Sequence, residues 1–325
     1  MIKNPPLIKK VVEEMGGTFE EVIPERGCYY IHVQGKAFLI TRKFRIAKNF
    51  ISIAGATKFK DLTYTLLRQR SLPTPTTVFF FRKKFTPQDA TAKLAALQFP
   101  IIIKDSSGSN SQGIFPYIKS LAEAETILTT EIRNFRSLIA QEMIFGKEYR
   151  VLMLDDKVIG ALEMIPPRVF GDGEATISQL IQAKQKHTHR KTPIDQALKI
   201  ILKEQGFSLE SILGVGEVAS IKKSSSLAEG GETRDVTDLV NKEITTLCAD
   251  AADAIGDYLA GIDIICEDIT KSPTKQTFGI LEINGKPDLY IHYNPTFGKS
   301  RNVIKDIINF ILKLNTTQKS NLAKK

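Results

Sequence analysis

Two short apolar runs near the C-terminal end constrain this chain most. Gly279-Ile-Leu-Glu-Ile-Asn-Gly-Lys-Pro287 reads as a buried strand through Ile280, Leu281 and Ile283, closed by Gly285 and Pro287. Gly261-Ile-Asp-Ile-Ile-Cys266 is a second apolar strand with a single acid, Asp263. Residues two apart on a strand share a face, so Glu282 and Asn284 point the same way. If the two strands pair, Asp263, Glu282 and Asn284 converge on one edge. Two carboxylates and an amide carbonyl are the oxygen ligands a hard cation such as Mg²⁺ takes, with phosphates and water completing its shell. Glu282 and Asn284 read equally as caps where the strand exits, and the rest of the chain has to separate the two readings.

At 325 residues the chain has room for two or three subdomains, and its apolar share, 42%, is that of an ordinary globular protein. No apolar run approaches the roughly 18–20 residues that cross a bilayer. The opening MIKNPPLIKK has prolines where a signal peptide carries its apolar stretch, so a cytoplasmic location is expected. Cys28, Cys248 and Cys266 lack metal-ligand spacing and read as free thiols. The net charge of +9 is spread along the chain, with no long basic block and no aromatic–basic stripe. That pattern argues against nucleic acid and for phosphate-bearing small molecules.

Taken in order, residues 4–16 predict a helix, followed by strands at Phe19–Val22, Tyr29–Val33 and Ala37–Ile40, the last two joined at Gln34-Gly35. Lys60–Arg70 predicts a helix stopped by Leu72-Pro-Thr-Pro75. Strand Thr77–Phe81 leads into a helix opened by Thr86-Pro87. Then comes Phe99-Pro-Ile-Ile-Ile-Lys104, a strand ending in a lysine, and a loop of small residues, Ser107, Gly108 and Gly113 among them. Gly and Ser give a backbone able to close its N–H groups on phosphates, and the Lys104 ammonium can meet them. No Gly-Lys-Ser/Thr follows, so this is not a Walker loop. Beyond it, helix 121–128, strand 138–143, a turn at Gly146, strands through Ile165, the tight turn Gly171-Asp-Gly173 and a helix from Thr176 are expected. Residues 185–232 read as polar and rich in Ser, Lys and Gly, with Ser224–Gly231 the least structured part, and helices 240–259 and 301–314 flank the two acidic strands.

These pieces together resemble the ATP-grasp superfamily, and in particular the ATP-grasp segments of cyanophycin synthetase and of the bifunctional glutamate–cysteine ligase/glutathione synthetase. The similarity runs from about residue 7 to residue 314. It is carried by Gly146-Lys-Glu-Tyr-Arg-Val-Leu, Pro166-Pro-Arg-Val-Phe-Gly-Asp-Gly-Glu-Ala-Thr-Ile177, Glu229-Gly-Gly-Glu-Thr-Arg-Asp-Val-Thr-Asp238, and Ile283-Asn through Arg301-Asn-Val. The resemblance implies an α+β ATP-grasp fold, two lobes clamping ATP, after a short N-terminal α/β segment. The expected divisions are residues 1–57 for that segment, 58–140 for the lobe with the phosphate loop, 141–315 for the lobe with the Mg²⁺ and substrate positions, and 316–325 for a basic flexible tail.

By the same resemblance Lys104 and Lys60, with Lys58 as the alternative to Lys60, match the two lysines that hold the nucleotide phosphates. Glu148 falls at the ribose position, and Met143 and Ile144 fall on the hinge whose backbone reads adenine. Asp263, Glu282 and Asn284 take the metal-ligand positions, in agreement with the strand argument. Arg150, Arg168 and Arg301 sit where a guanidinium clamps a carboxylate or an acyl phosphate. The sequence also departs from the pattern. Gln141 stands where an acid often meets the adenine amino group, its amide oxygen still able to accept that bond. Met164 and Lys222 stand where relatives carry Arg, and Ala228-Glu229 replaces a small hydroxyl pair. The last three departures lie on the acceptor side, so Lys222 joins the arginines as an expected substrate contact in a pocket that has diverged.

The implied activity is amide-bond formation between a carboxylate and an amine, driven by ATP with two Mg²⁺ ions, or Mn²⁺ in their place, through an acyl phosphate. Amino acids or a small peptide are the expected substrates. A protein or ribosomal-peptide acceptor and a non-catalytic ATP-binding scaffold are the rivals. A homodimer and a separately encoded partner ligase are further expectations of the resemblance. His187 and His189 fall in a polar loop, and His292 borders the acceptor region.

Overall fold

The computed structural model describes residues 4–23, 28–40, 44, 46, 48, 56–107, 113–188 and 193–322. In chain order it begins with helix α1 (Asn4–Glu14), strands β1 (Thr18–Ile23), β2 (Cys28–Val33) and β3 (Lys36–Ile40), helix α2 (Lys60–Gln69) and strand β4 (Thr77–Phe81). Next are helix α3 (Pro87–Ala95), strands β5 (Ile101–Asp105) and β6 (Ile114–Ile118), helix α4 (Leu121–Glu131), and strands β7 (Ser137–Glu142), β8 (Lys147–Leu154), β9 (Lys157–Ile165) and β10 (Arg168–Phe170). Helices α5 (Ile177–Thr188) and α6 (Gln196–Glu204) and strands β11 (Val218–Ser220) and β12 (Glu232–Asp235) follow. The chain ends with helix α7 (Lys242–Ala254), strands β13 (Leu259–Cys266) and β14 (Phe278–Asn284), and helices α8 (Tyr290–Tyr293) and α9 (Val303–Leu322).

The chain forms two compact units. The first is Met1–Ala161 with Val236–Asn294 and Ser300–Lys325, and the second is Leu162–Asp235 with Pro295–Lys299.

The first unit is built on three sheets. The small one, β1-β2-β3, turns its second hairpin through Gln34 and Gly35, at φ of 51° and 70°. Positive φ at both central residues matches the right-handed twist of the flanking strands. Ile31 and Val33 of this sheet share a core with Leu7, Ile8, Val11 and Val12 of α1, with Leu152, Leu154 and Leu259, and with Ile304, Ile307 and Ile308 of α9. The second sheet, β4-β7-β5-β6, buries Phe80, Ile101, Ile103, Leu138 and Ala140 on one face against Leu94 of α3 and Leu128 of α4. Thr86 accepts from the Asp89 amide to cap α3, with Pro87 at its first turn, as the sequence predicts.

The third sheet runs β9-β8-β13-β14 in this unit. One of its faces packs Tyr149, Val151, Ile262, Ile264, Ile280 and Ile283 against Ile244, Cys248 and Ala251 of α7 and Leu67 of α2. β7 and β8, on either side of the turn expected at Gly146, belong to different sheets, so residues 143–146 carry the chain from one to the other. α7 stops at Ala254, short of the expected 259, with Gly256 at φ 73°. α9 continues to Leu322, into residues read from sequence as a flexible tail.

In the second unit, residues 162–165 of β9 pair with β12, and β10 pairs with β11. Val169, Ile177, Ile181, Leu198, Leu202, Leu213 and Ile221 form its core. Within residues 185–232, read from sequence only as polar, the structure adds a helix. α6 is an amphipathic helix, capped by Asp195 on the Leu198 amide, with Leu198 and Leu202 buried. The Gly171–Gly173 turn forms as predicted, with Gly173 at φ 85°. Asp172 Oδ1 accepts the amides of Ala175 and Glu174, at 2.7 and 3.0 Å, and these bonds hold its carboxyl below the usual carboxylate range.

Candidate active site

β13 and β14 pair antiparallel with Asp263 opposite Glu282 and Gly261 opposite Asn284. The register then slips, Ile264 pairing with Ile280, so that Leu281 is the extra residue of a β-bulge. The bulge resolves a conflict in the sequence. Strict alternation would put Ile280 on the face of Glu282, whereas with Leu281 extra, Ile280 joins Ile283 in the core and Glu282 and Asn284 face the other way. The reading of Leu281 as a core residue is therefore corrected: it is half-buried and unpaired in register.

On the other side of β13, Asp263 pairs with Arg150 of β8, so Arg150, Asp263 and Glu282 form a row across three strands. Arg150 Nε and Nη2 donate to Asp263 Oδ1 and Oδ2 at 2.6 and 2.7 Å, and Asn284 Nδ2 donates to Oδ2 at 3.2 Å. The neighbouring Asp263 charge holds the Arg150 pKa above its ordinary value. Arg150, expected to clamp a substrate carboxylate, is thus bound to a carboxylate of the protein, and the fork geometry of guanidinium on carboxylate fixes how Asp263 is turned.

Lys60, the first residue of α2, brings its ammonium to 3.5 Å from Glu282 Oε1, with little of its side chain exposed. Its backbone is pinned as well. The Lys60 amide donates to the Ser106 carbonyl at 2.8 Å, and buried Ser106 follows directly on β5. Lys58, the alternative from sequence, is exposed. Lys104 lies on β5 with its Nζ donating to Gln141 Oε1 at 3.0 Å and standing 5.9 Å over the ring of Tyr64. Burial lowers the Lys104 pKa, while the Glu282 and Asp263 charges oppose that shift.

Gln141, expected to meet an adenine amino group, has partners within the protein. Gln141 is buried, its oxygen accepting from Lys104 and its Nε2 donating to Thr77 Oγ1 at 2.8 Å. The register explains it: Thr77 and Ile102 flank Gln141 on adjacent strands, and Lys104 is on the same face two residues beyond Ile102. Met143 directs its amide into the sheet, onto the Pro100 carbonyl at 3.1 Å. Ile144 packs so closely on Gly279 that a Cβ there would meet its Cδ1 at 2.4 Å. Glu148 is exposed and shares the face of Arg150. Ser107 donates through its amide and hydroxyl to Asp105 Oδ1, at 3.1 and 3.2 Å. Gly113 sits at φ 65° with no room for a Cβ beside the Phe135 ring. Gly108 lies outside the described residues, as do His189 and the side chain of His187.

The remaining expected contacts also meet carboxylates. Arg301 makes a two-pronged bond to Asp238, at 2.9 and 2.8 Å. In the second unit Arg168 donates to Glu232 at 2.9 Å and Lys222 to Glu229 at 3.1 Å. Buried His292 packs on Gly160, and its carbonyl accepts from the Arg301 amide at 2.9 Å. Tyr64 and Ser106 are the residues that sequence reasoning passed over. Each lies one short step from a lysine it did single out.

Among the described residues no group of three or more His, Cys, Asp or Glu is placed to hold a metal ion by itself. The set Asp263, Glu282 and Asn284 suits Mg²⁺ nonetheless. It offers oxygens only, on cross-strand partners, to an ion that keeps phosphates and water in its shell, and Glu282 already attracts a cation in Lys60.

Lys104 thus stands on the second sheet, and Asp263, Glu282 and Asn284 stand on the third, against which α2, the helix of Lys60, packs. Over residues 57–172 the chain matches the model of the RimK-like ATP-grasp domain. Cyanophycin synthetase of Geminocystis herdmanii is 32% identical over 264 residues, covering 78% of this chain and 30% of that protein. The glutathione biosynthesis bifunctional protein of Clostridium perfringens is 30% identical over 222 residues, covering 65% of this chain and 28% of that protein. The chain therefore spans less than a third of the length of these curated relatives. A bifunctional glutathione synthetase from Pasteurella multocida has the same fold, with a TM-score of 0.70 at 21% identity over 94% of this chain and 43% of that one. The chain belongs to the ATP-grasp superfamily and is related to the carboxylate–amine ligases represented by cyanophycin synthetase and the bifunctional glutathione enzymes. Among the described residues no helix is long and apolar enough to cross a membrane.

Proposed function

We propose that this chain is an ATP-dependent carboxylate–amine ligase that joins amino acids or a small peptide through an acyl phosphate. The observation that carries the reading is the pairing of Asp263 with Glu282 beside Lys60, which gathers acidic oxygens and an ammonium at one point. A substrate carboxylate attacks the γ-phosphorus of ATP, the bond to the β-phosphate oxygen breaks, and ADP leaves. The amine of the second substrate then attacks the acyl carbon, and phosphate leaves with its electron pair.

The chain's own residues act by position and charge, so no nucleophilic side chain is required. Lys60 and Lys104 meet the phosphates as ammonium groups. Arg150 keeps Asp263 turned, and Asn284 braces the same carboxylate. Asp263, Glu282 and Asn284 would hold Mg²⁺, which when bound neutralises charge on the transferring phosphoryl group. The Gly108–Gly113 loop expected to hold the phosphates lies outside the described residues apart from Gly113. Arg168, Arg301 and Lys222 are the candidates for substrate carboxylates, each having first to exchange the protein carboxylate it now holds.

The test is incubation with ATP, Mg²⁺ and pooled amino acids, following phosphate release and new amide masses. Phosphate release that depends on added amino acids, with a matching condensation product, is the expected result. ATP binding without turnover on any small substrate would contradict a small-molecule ligase and direct the search to a protein acceptor or a scaffold.

A further inference from the structure

The β-bulge that aims Glu282 is held from outside its own sheet. A bulge leaves the backbone of the extra residue out of the ladder, and a buried carbonyl without a donor is costly. Here the extra residue is Leu281, and its carbonyl accepts a hydrogen bond from the phenol of Tyr64, a fully buried residue of α2. The same ring lies under the Lys104 ammonium at 5.9 Å. Tyr64 is one turn along the helix from Lys60, whose ammonium reaches Glu282 itself. One side chain thus touches the support of both ends of the site: the strand that turns the metal carboxylate and the lysine assigned to phosphate.

We infer that Tyr64 is a positioning residue that sets the Glu282 carboxylate in register with Lys104, so that the bound cation and the nucleotide phosphates strengthen each other's binding. The inference rests on the nucleotide and metal reading above. It assigns separate work to the two parts of the side chain. The hydroxyl pins the bulge and so the metal end, whereas the ring supports the lysine end. A tyrosine that only filled the core would need its ring alone, and its hydroxyl could be removed without consequence for the site.

Tyr64→Phe and Tyr64→Leu separate these roles without knowledge of the ligase substrates. ADP affinity is measured by calorimetry on the full chain with and without Mg²⁺, alongside melting temperature. In the wild type Mg²⁺ is expected to tighten ADP binding, and the absence of such a gain would overturn the inference. In Tyr64→Phe we expect Mg²⁺-free affinity to be unchanged and the Mg²⁺-dependent gain to shrink about fivefold, the scale of one lost hydrogen bond. In Tyr64→Leu the Mg²⁺-free affinity should fall as well. Hydrogen exchange gives a readout free of ligand. Backbone amides of residues 280–284 should exchange faster in Tyr64→Phe, while those of β8 do not. A full Mg²⁺ gain in Tyr64→Phe, or equal losses with and without Mg²⁺, overturns the inference alone. A wild-type chain that binds no ADP overturns the nucleotide reading and this inference with it.

Discussion

Glu282 and Lys60 stand 3.5 Å apart, a carboxylate and an ammonium that the proposed chemistry assigns to different parts of one substrate complex. Phosphates would draw Lys60 away and a cation would take its place, so Glu282 is compensated in either state. Replacing it by Gln keeps the shape and removes the charge. Glu282→Gln is expected to lower phosphate release at least about 100-fold, the scale of deleting one electrostatic stabiliser, with a melting temperature close to wild type. Undiminished release would remove the metal assignment. Lys104 carries a pH dependence. Burial holds its folded pKa below that of an unfolded lysine, so nucleotide affinity should decline with rising pH before the usual lysine range is reached. The sign for stability is opposite to that of a paired lysine: the buried charge costs stability below the folded pKa, and the cost is relieved as pH rises from the folded to the unfolded value. ADP affinity measured across pH in wild type and Lys104→Met checks this, the variant binding more weakly and without that decline.

Elements differ in how plainly the sequence announces them. The acidic strands are legible because apolar runs with isolated acids at Asp263 and Glu282 leave little choice of partner or face. The bulge is not legible. Ile280-Leu281-Glu282-Ile283 contains two possible phases, and long-range packing against α7 decides between them. The partner of Gln141 is not legible for a related reason: its place on a strand is clear, but its bond to Lys104 depends on the register of β5 with β7. α6 went unseen because its apolar stripe is short and Ile200 breaks the pattern by facing solvent. Its start signal, Asp195 ahead of Leu198 and Leu202, was present all the same. Asp195→Ala should destabilise the unit holding α6 by about 1 kcal/mol, the usual value of an N-cap. Leu202→Ala should cost roughly 2–5 kcal/mol, because Leu202 is wholly buried. Denaturant unfolding of the two variants checks the order, and equal effects would contradict the packing described.

At the scale of the whole molecule, the resemblance carried the fold class because several motifs recur in order over nearly the entire chain, whereas the grouping into two compact units came from contacts distant in sequence. Cys248 and Cys266 report on the integrity of the first unit. Both are free and buried, and burial pushes the Cys266 thiol up to about 12 and Cys248 higher still. At pH 8 both should resist a thiol reagent in the native protein and react on unfolding, as peptide mapping would reveal. Fast native labelling at either would contradict their placement in the α7–sheet core. The central claim is that Asp263, Glu282 and Asn284 hold a divalent cation beneath the nucleotide phosphates. It is tested most directly by Mn²⁺ binding in the presence of a non-hydrolysable ATP analogue, read by electron paramagnetic resonance in wild type, Asp263→Asn and Glu282→Gln. The expected result is tight, analogue-dependent Mn²⁺ binding in wild type that is lost or weakened at least about tenfold in both variants, and Mn²⁺ binding that is the same in all three would contradict the account.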